Sequence, residues 1–519
     1  MKKISFNNSS FLIFIMIALF YAIGNFIWWK LNTPVIPIGI SAIHFNDIFR
    51  NEIFYYNAPL IAWIMKGMFF VFGKEYFDLQ IIIVNYFFFL TGLYFIYKLG
   101  LKLKDKETGN AAMLLFALTP AVYELSRHYG HQDWHVMIAM IVNIYCLIKL
   151  NDFKNSKWCI LYGITAGLGM LIKDEFLPYF FIPWLYVAVR SLCNTMEKRT
   201  VLNIFVTVVL SVLISGCHYF RYEIINKFLH EPVIETAPVF SLSSLSVITV
   251  GLSKYLLYPL LFSVFAIGFL WFLYKNKNRD KYIFVLWFVV PWTIITFMPH
   301  AKMPEYCLGF VPCMILISSL FITNIKTVKK VLILSLIVAI YLFLYVFLIC
   351  VKDISSFNKN IYGICSVSKY SYCQDKNKIN FSFELSHYID KYSVTKKVLF
   401  DNTAMEKLTG INRFFFEAAN NIYFSKTKVY DYKTRGCYDC DILFTTENGI
   451  YSRDSLEIAS NEYIRFVHSP LQTEEAKREY IDKRIKEIEQ FKKFIKNNFV
   501  LIEKIPYKDT HIEVYKLIK

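Results

Sequence analysis

Gly167-Leu-Gly-Met-Leu-Ile-Lys173-Asp-Glu-Phe-Leu-Pro178 sets a lysine and two acids between two apolar runs, residues 158–173 and 176–193. Ionisable groups this close to hydrocarbon are costly and are normally paired or used. The pairing nearest in the chain is Lys173 with Asp174 or Glu175. Working outward, further apolar runs lie near 9–29, 76–98, 108–126, 133–150, 201–219, 253–274, 282–298, 307–323 and 331–351, making about eleven in all. Crossing a bilayer takes roughly 20 helical residues at about 1.5 Å each, and most of these runs suffice. The composition agrees: 56% of the 519 residues are hydrophobic and 19% charged, with 49 Phe and 36 Tyr, and the mean hydropathy is +0.39. A disordered or purely soluble protein is excluded.

The net charge of +17 would suit nucleic acid, but its placement removes that reading. Of the 29 Lys and Arg in residues 1–351, 19 fall in six short segments: 1–3, 98–106, 149–157, 190–199, 275–281 and 326–330. Positive residues in short loops mark the cytoplasmic side. An odd number of spans with the N-terminus inside places residues 352–519 outside the cell, and the cytoplasmic membrane is the expected home. Ala22-Ile-Gly24 offers a small-x-small cleavage site, but the apolar run continues through Phe26, Ile27, Trp28 and Trp29, so it reads as a retained first span rather than a signal peptide.

Two domains are expected: 1–351 in the membrane and 352–519 as an extracytoplasmic α/β domain. The tail holds 28 Lys and Arg against 23 Asp and Glu. Lys397–Asp401, Asp441–Thr446, Phe499–Glu503 and His511–Tyr515 alternate as strands do. Ile481, Ile485, Ile488, Phe491 and Phe494 recur at helical spacing, with acids before and lysines after, as the helix dipole favours. Cys365, Cys373, Cys437 and Cys440 form an even set on the oxidising side, which predicts disulfides with three pairings open. The other seven Cys lie in or beside spans, where a thiol is a small apolar filler.

Chemistry is then expected where ionisable groups meet the external face. The first loop carries His44-Phe-Asn-Asp47-Ile-Phe-Arg50, followed by Tyr55-Tyr-Asn-Ala-Pro-Leu-Ile-Ala-Trp63, which opens an amphipathic stretch suited to the interface. The second hairpin reads Ser126-Arg-His-Tyr-Gly-His-Gln-Asp-Trp-His135. If extended, it points His131, Asp133 and His135 one way, able to hold a divalent cation with Asp47. If helical, only His131 and His135 share a face and Asp133 becomes a helix-terminal acid. The Lys173 hairpin is the third cluster. The fourth is Pro299-His-Ala-Lys302-Met-Pro-Glu-Tyr306, where Lys302 also fits a snorkelling role.

In this order and spacing the four clusters resemble the GT-C integral-membrane glycosyltransferases, of the kind that includes protein O-mannosyltransferases and the aminoarabinose transferase of lipid A. The matching residues are Asp47 with Asn57-Ala-Pro-Leu60, Leu118-Thr-Pro120, Ser126-Arg127 with Asp133, Gly167 to Lys173, and Lys302 with Tyr306. They span residues 10 to 320. Many relatives have Asp-Glu where Asp47-Ile48 stands and His-Pro where Asn57-Ala58 stands, which weakens any transfer of acceptor specificity. The resemblance implies a mainly α, GT-C-like bundle of about eleven transmembrane helices with interfacial helices. It also implies transfer of a hexosyl or pentosyl group from a polyprenyl-phosphate carrier to an acceptor hydroxyl of a lipid, glycan or protein on the external face.

In that reaction a carboxylate takes the acceptor's proton, for which Asp47 is the candidate, with Asp133 beside it as positioning or catalytic acid. The leaving phosphate needs cations rather than an acid, and Lys173, Lys302 and Arg127, with Tyr306, are the expected donor-phosphate group. His44, Asn57, His131 and Glu175 are expected to position acceptor or substrate. One base and direct displacement invert the anomeric centre. No cofactor is expected beyond the open question of a divalent cation on Asp47, His131 and Asp133. The expected partners are lipid-linked donor, acceptor and membrane lipid, without nucleic acid. The opposing classes are a transporter or lipid flippase, which would place charges near the bilayer midplane and often shows inverted repeats, and a membrane-anchored sensor.

Overall fold

The computed structural model describes residues 8–32, 36–37, 59–74, 76–126, 132–173, 176–194, 196–221, 242–276, 279–297, 304–350, 372–373, 376–393, 397–400, 405, 416, 428–431, 440–446, 474–507 and 510–518. The chain forms two compact units, Met1–Thr33 with Glu52–Ser371, and Pro34–Asn51 with Tyr372–Lys519.

The described part of the first unit is helical. In chain order come α1 (Asn8–Asn32), α2 (Leu60–Phe72), α3 (Phe77–Leu103), α4 (Lys106–Leu118), α5 (Pro120–Leu125), α6 (Gln132–Lys149), α7 (Ser156–Met170), α8 (Phe176–Asn194), α9 (Lys198–Tyr219), α10 (Leu242–Val250), α11 (Tyr258–Lys275), α12 (Lys281–Phe297), α13 (Val311–Asn324) and α14 (Thr327–Cys350). A π-helical turn, Gly251–Leu256, joins α10 to α11, and a 3₁₀ turn, Pro304–Phe310, leads into α13.

Among the described residues seven helical stretches are long and apolar enough to cross a membrane: α1, α3, α8, α9, α11, the stretch Tyr306–Asn324, and α14. The sequence predicts about eleven. The four other runs are helices α4, α6, α7 and α12, of 13, 18, 15 and 17 residues. α4 stops at Thr119, ahead of Pro120, because proline's ring and missing N–H interrupt the ladder. α6 opens on Gln132-Asp-Trp-His135, whose polarity dilutes its apolar run. Both are largely buried, so protein rather than lipid surrounds them. α14, by contrast, exposes Val331, Leu332, Leu336, Ile340, Phe343 and Val346, a face suited to acyl chains.

Two glycines explain how α7 is held. A Cβ on Gly163 would lie 2.9 Å from Leu210 Cβ, and one on Gly167 would lie 2.7 Å from Ile214 Cβ. The four-residue spacing puts both on one face and lets α9 approach backbone to backbone. Ser211 Oγ uses that closeness to donate to the Gly163 carbonyl at 3.1 Å. At the other end of α7, Asn151, Asp152 and Phe153 turn with φ of 52°, 52° and 59°. That left-handed turn is clamped from outside. Arg190 of α8 donates through Nε to Asp152 Oδ1 at 3.0 Å and through Nη1 to Asp280 Oδ1 at 3.2 Å, and Asn203 of α9 donates to the Phe153 carbonyl at 2.6 Å.

The second unit carries β1 (Ile36–Pro37) paired antiparallel with β2 (Tyr372–Cys373). Its main sheet has five strands: β3 (Lys397–Phe400), β4 (Lys428–Asp431), β5 (Ile442–Thr446), β6 (Phe499–Tyr507) and β7 (Thr510–Leu517), in the order β4-β3-β5-β7-β6. β3 is parallel to β4 and β5, while β7 is antiparallel to β5 and β6. Two helices accompany it, α15 (Lys376–Tyr392) and α16 (Glu474–Asn498). Ile488 and Ile495 of α16 pack on Leu399, Cys440, Leu443 and Phe499, with Ile481, Ile485 and Phe494 alongside. Cys440 is buried in this core. Cys365 and Cys437 lie outside the described residues, and of Cys373 only the backbone is described.

Candidate active site

Asp133 is the second residue of α6, in its first turn, where unsatisfied N–H groups and the helix dipole favour an anion. It is only 7% exposed. Lys173 lies just past the C-terminal end of α7, in a tight connection where Ile172 N donates to Gly169 O at 3.0 Å and Phe176 N to Lys173 O at 3.1 Å. From there its Nζ donates to Asp133 Oδ1 and Oδ2, both at 2.9 Å. The ammonium is also 4.5 Å from the ring centroid of Tyr306, near enough for cation–π attraction. Lys173 thus reaches across to the second hairpin rather than being confined to its own neighbours, Asp174 and Glu175.

The third member is placed by its own scaffold. Tyr306 belongs to the 3₁₀ turn, and the Tyr179 hydroxyl of α8 donates to its carbonyl. The Tyr179 ring lies so close to Gly309 that a Cβ there would stand 2.6 Å from it, and Trp287 Nε1 of α12 donates to the Gly309 carbonyl at 2.8 Å. The start of α2 is fastened to the same corner, since Leu60 N donates to Leu171 O at 2.9 Å. The end of the Asn57-Ala-Pro-Leu60 segment therefore lies two residues from Lys173. Asp133, Lys173 and Tyr306 come from segments 40 and 133 residues apart in the chain, and a buried pair of this kind is sustained only by good geometry.

The alternating reading of 131, 133 and 135 is corrected, because Gln132 onward is helical. Two residues on a helix stand about 200° apart, so Asp133 and His135 diverge. His135 Nε2 hydrogen-bonds Asn85 Oδ1 of α3 at 2.9 Å, with Phe88 edge-on at 4.7 Å. No group of three metal-ligating side chains occurs among the described residues. Both Asp133 oxygens accept from the Lys173 ammonium. His44, Asp47, Asn57, Arg127, His131, Glu175 and Lys302 lie outside the described residues.

Sequence reasoning missed Tyr179, which carried no distinguishing signal among so many aromatics. It also missed the join of Leu60 to Leu171.

Residues 56–218 match the family described as dolichyl-phosphate-mannose-protein mannosyltransferase. No curated protein matches the chain by sequence. Among solved structures, ArnT from Cupriavidus metallidurans bound to undecaprenyl phosphate aligns with a TM-score of 0.58 at 10% identity, covering 96% of this chain and 97% of that one. The apo state of ArnT aligns over 60% of this chain and 61% of that one, at 13% identity and a TM-score of 0.44. The apo oligosaccharyltransferase of Archaeoglobus fulgidus aligns with a TM-score of 0.52 at 10% identity, covering 88% of this chain and 70% of that one. The sequence match falls on the segment that carries Asp133 and Lys173, and across nearly its whole length the chain is a multi-pass membrane protein with the GT-C fold of ArnT.

Proposed function

We propose that the protein moves a sugar from a polyprenyl-phosphate carrier to an acceptor hydroxyl at the external face of the cytoplasmic membrane, in the synthesis of a cell-envelope glycolipid, polysaccharide or glycoprotein. The observation that carries this reading is the buried Asp133–Lys173 pair under Tyr306, assembled from three hairpins at one end of α6. The acceptor oxygen attacks the anomeric carbon as Asp47 takes its proton. The bond from that carbon to the phosphate oxygen breaks, and its electron pair leaves with the phosphate. Attack opposite the leaving group inverts the centre. The growing phosphate charge needs cations already in place. Asp133 fixes the Lys173 ammonium in position, and because that pair is together neutral, Arg127 and Lys302 supply the net positive charge.

The test incubates purified protein with a panel of radiolabelled polyprenyl-phosphate sugars and membrane extract, and identifies the labelled product. Label should pass from at least one donor to an acceptor, and Asp47→Asn should abolish it while the protein stays inserted. Transfer at the wild-type rate by that variant removes Asp47 as base, and a membrane transport activity without any transfer favours the flippase class.

A further inference from the structure

Lys149 closes α6 at the end opposite Asp133, about 24 Å away at 1.5 Å per residue. Beside it stand Lys98 and Lys102 in the last two turns of α3. Those two are four residues apart and so share a helix face, and Lys149 is within electrostatic reach of both. Lys98 is 4% exposed, and its ammonium is 5.1 Å from the Tyr94 ring centroid and 5.9 Å from that of Tyr97. The Lys149 ammonium is 5.6 Å from the Tyr145 centroid. Phe95 meets Tyr145 edge-on at 5.2 Å, so aromatic rings join the two helices beneath the cations.

Like charges as close as Lys102 and Lys149 repel one another unless an anion sits beside them. Among the described residues the ion pairs engage Lys104, Lys173, Arg190, Lys330, Lys504 and His511, but neither Lys102 nor Lys149. A second observation says what kind of anion fits. Ile83 and Phe87 of α3 are exposed, as is Thr91, and this stripe advances four residues at a time towards Lys98 and Lys102. An apolar track that ends at lysines on two packed helix ends matches a molecule with acyl chains and a phosphate head.

We propose that Lys102 and Lys149 form a binding site for the phosphate headgroup of an anionic membrane phospholipid, its acyl chain lying along Ile83 and Phe87. The site is at the far end of α6 from Asp133 and does not depend on the transfer reaction.

The test is native mass spectrometry of the full chain released from nanodiscs containing phosphatidylglycerol or phosphatidylcholine, with lipid retention titrated. Wild type should retain phosphatidylglycerol in preference. Lys102→Gln and Lys149→Gln should each weaken retention about fivefold, on the order of one lysine's contribution at a membrane surface. Lys149→Arg should keep it, and so should Lys330→Gln, a lysine already paired with Glu107 at 2.5 Å. Lys102 is exposed, so its variant preserves the test if Lys149→Gln fails to fold. Equal retention of the two lipids, or unchanged retention in both glutamine variants, overturns the proposal. Displacement of the lipid by inorganic phosphate at constant ionic strength also overturns it, because the site would then be one for free phosphate.

Discussion

Lys173 is a partly buried cation whose carboxylate partner lies 40 residues earlier in the chain, and removing either charge strands the other. Such a loss typically costs about 3 kcal/mol or more, whereas replacing both groups by apolar ones of similar volume is far milder. Asp133→Asn and Lys173→Met should therefore each lower the thermal stability of the detergent-solubilised protein. The double variant Asp133→Leu, Lys173→Met should lie closer to wild type than either single change; additive losses would show that the two groups act independently. Tyr179→Phe removes only the hydroxyl that holds the Tyr306 carbonyl, a bond worth about 1 kcal/mol. It should reduce kcat for glycosyl transfer more than it reduces stability, and an unchanged kcat would detach Tyr179 from the site. From sequence, Lys173, Asp133 and Tyr306 are visible as ionisable or aromatic groups at span ends. Their pairing is not, because hydropathy and spacing report along the chain while this contact joins separate hairpins.

At the scale of elements, the Lys173 hairpin is aimed by the packing of α7 on α9. Gly167→Val would drive a branched side chain into Ile214, an overpacking that costs about 1–3 kcal/mol. Transfer should fall with stability, and full activity would show that this helix contact does not set the hairpin. Asp105 precedes α4 and accepts from Thr108 N at 2.9 Å and Thr108 Oγ1 at 3.0 Å. Burial pushes its carboxyl up, but those hydrogen bonds and Lys104 outweigh it and hold the group below its ordinary value. The stabilisation is therefore present at neutral pH and is lost as pH falls through the acid range where the native carboxyl protonates. Asp105→Ala should cost about 1 kcal/mol at pH 7 and progressively less towards pH 3 in thermal melts, and a pH-independent loss would contradict the capping role. The helical runs were legible as apolar stretches, but that α4 and α6 are buried in protein was not, because hydropathy cannot separate a helix packed in protein from one bathed in lipid. In the tail, α16 and four strands followed from their periodicity. β4 is only four residues, Lys-Val-Tyr-Asp, too short and polar to stand out, and α15 was missed because Phe381, Leu385 and Ile389 are set among polar residues.

Across the whole molecule, α6 separates two chemistries, the paired acid and lysine at its N-terminal end and Lys149 with Lys102 at its C-terminal end. The proposed orientation puts the first outside and the second in the cytoplasm, with the tail external. In a background where the exposed Cys193 and Cys217 are serine, a membrane-impermeant maleimide added to intact cells should label Lys493→Cys in the tail but not Lys154→Cys beside α7. Labelling of Lys154→Cys alone would invert the topology and put the proposed site on the wrong face. The family resemblance in sequence foretold the architecture, while the helix contacts that orient the quoted motifs left no linear trace.

In the proposed reaction Lys173, held by Asp133, stabilises the phosphate leaving a lipid-linked sugar. The most direct measurement is single-turnover transfer of radiolabel from a polyprenyl-phosphate sugar by nanodisc-embedded wild type, Lys173→Met and Lys149→Gln. Wild type and Lys149→Gln should transfer label at comparable rates while Lys173→Met is slowed on the order of 100-fold, about the loss seen when one preorganised charge-stabilising donor is removed. Transfer by inserted, folded Lys173→Met at the wild-type rate would contradict it.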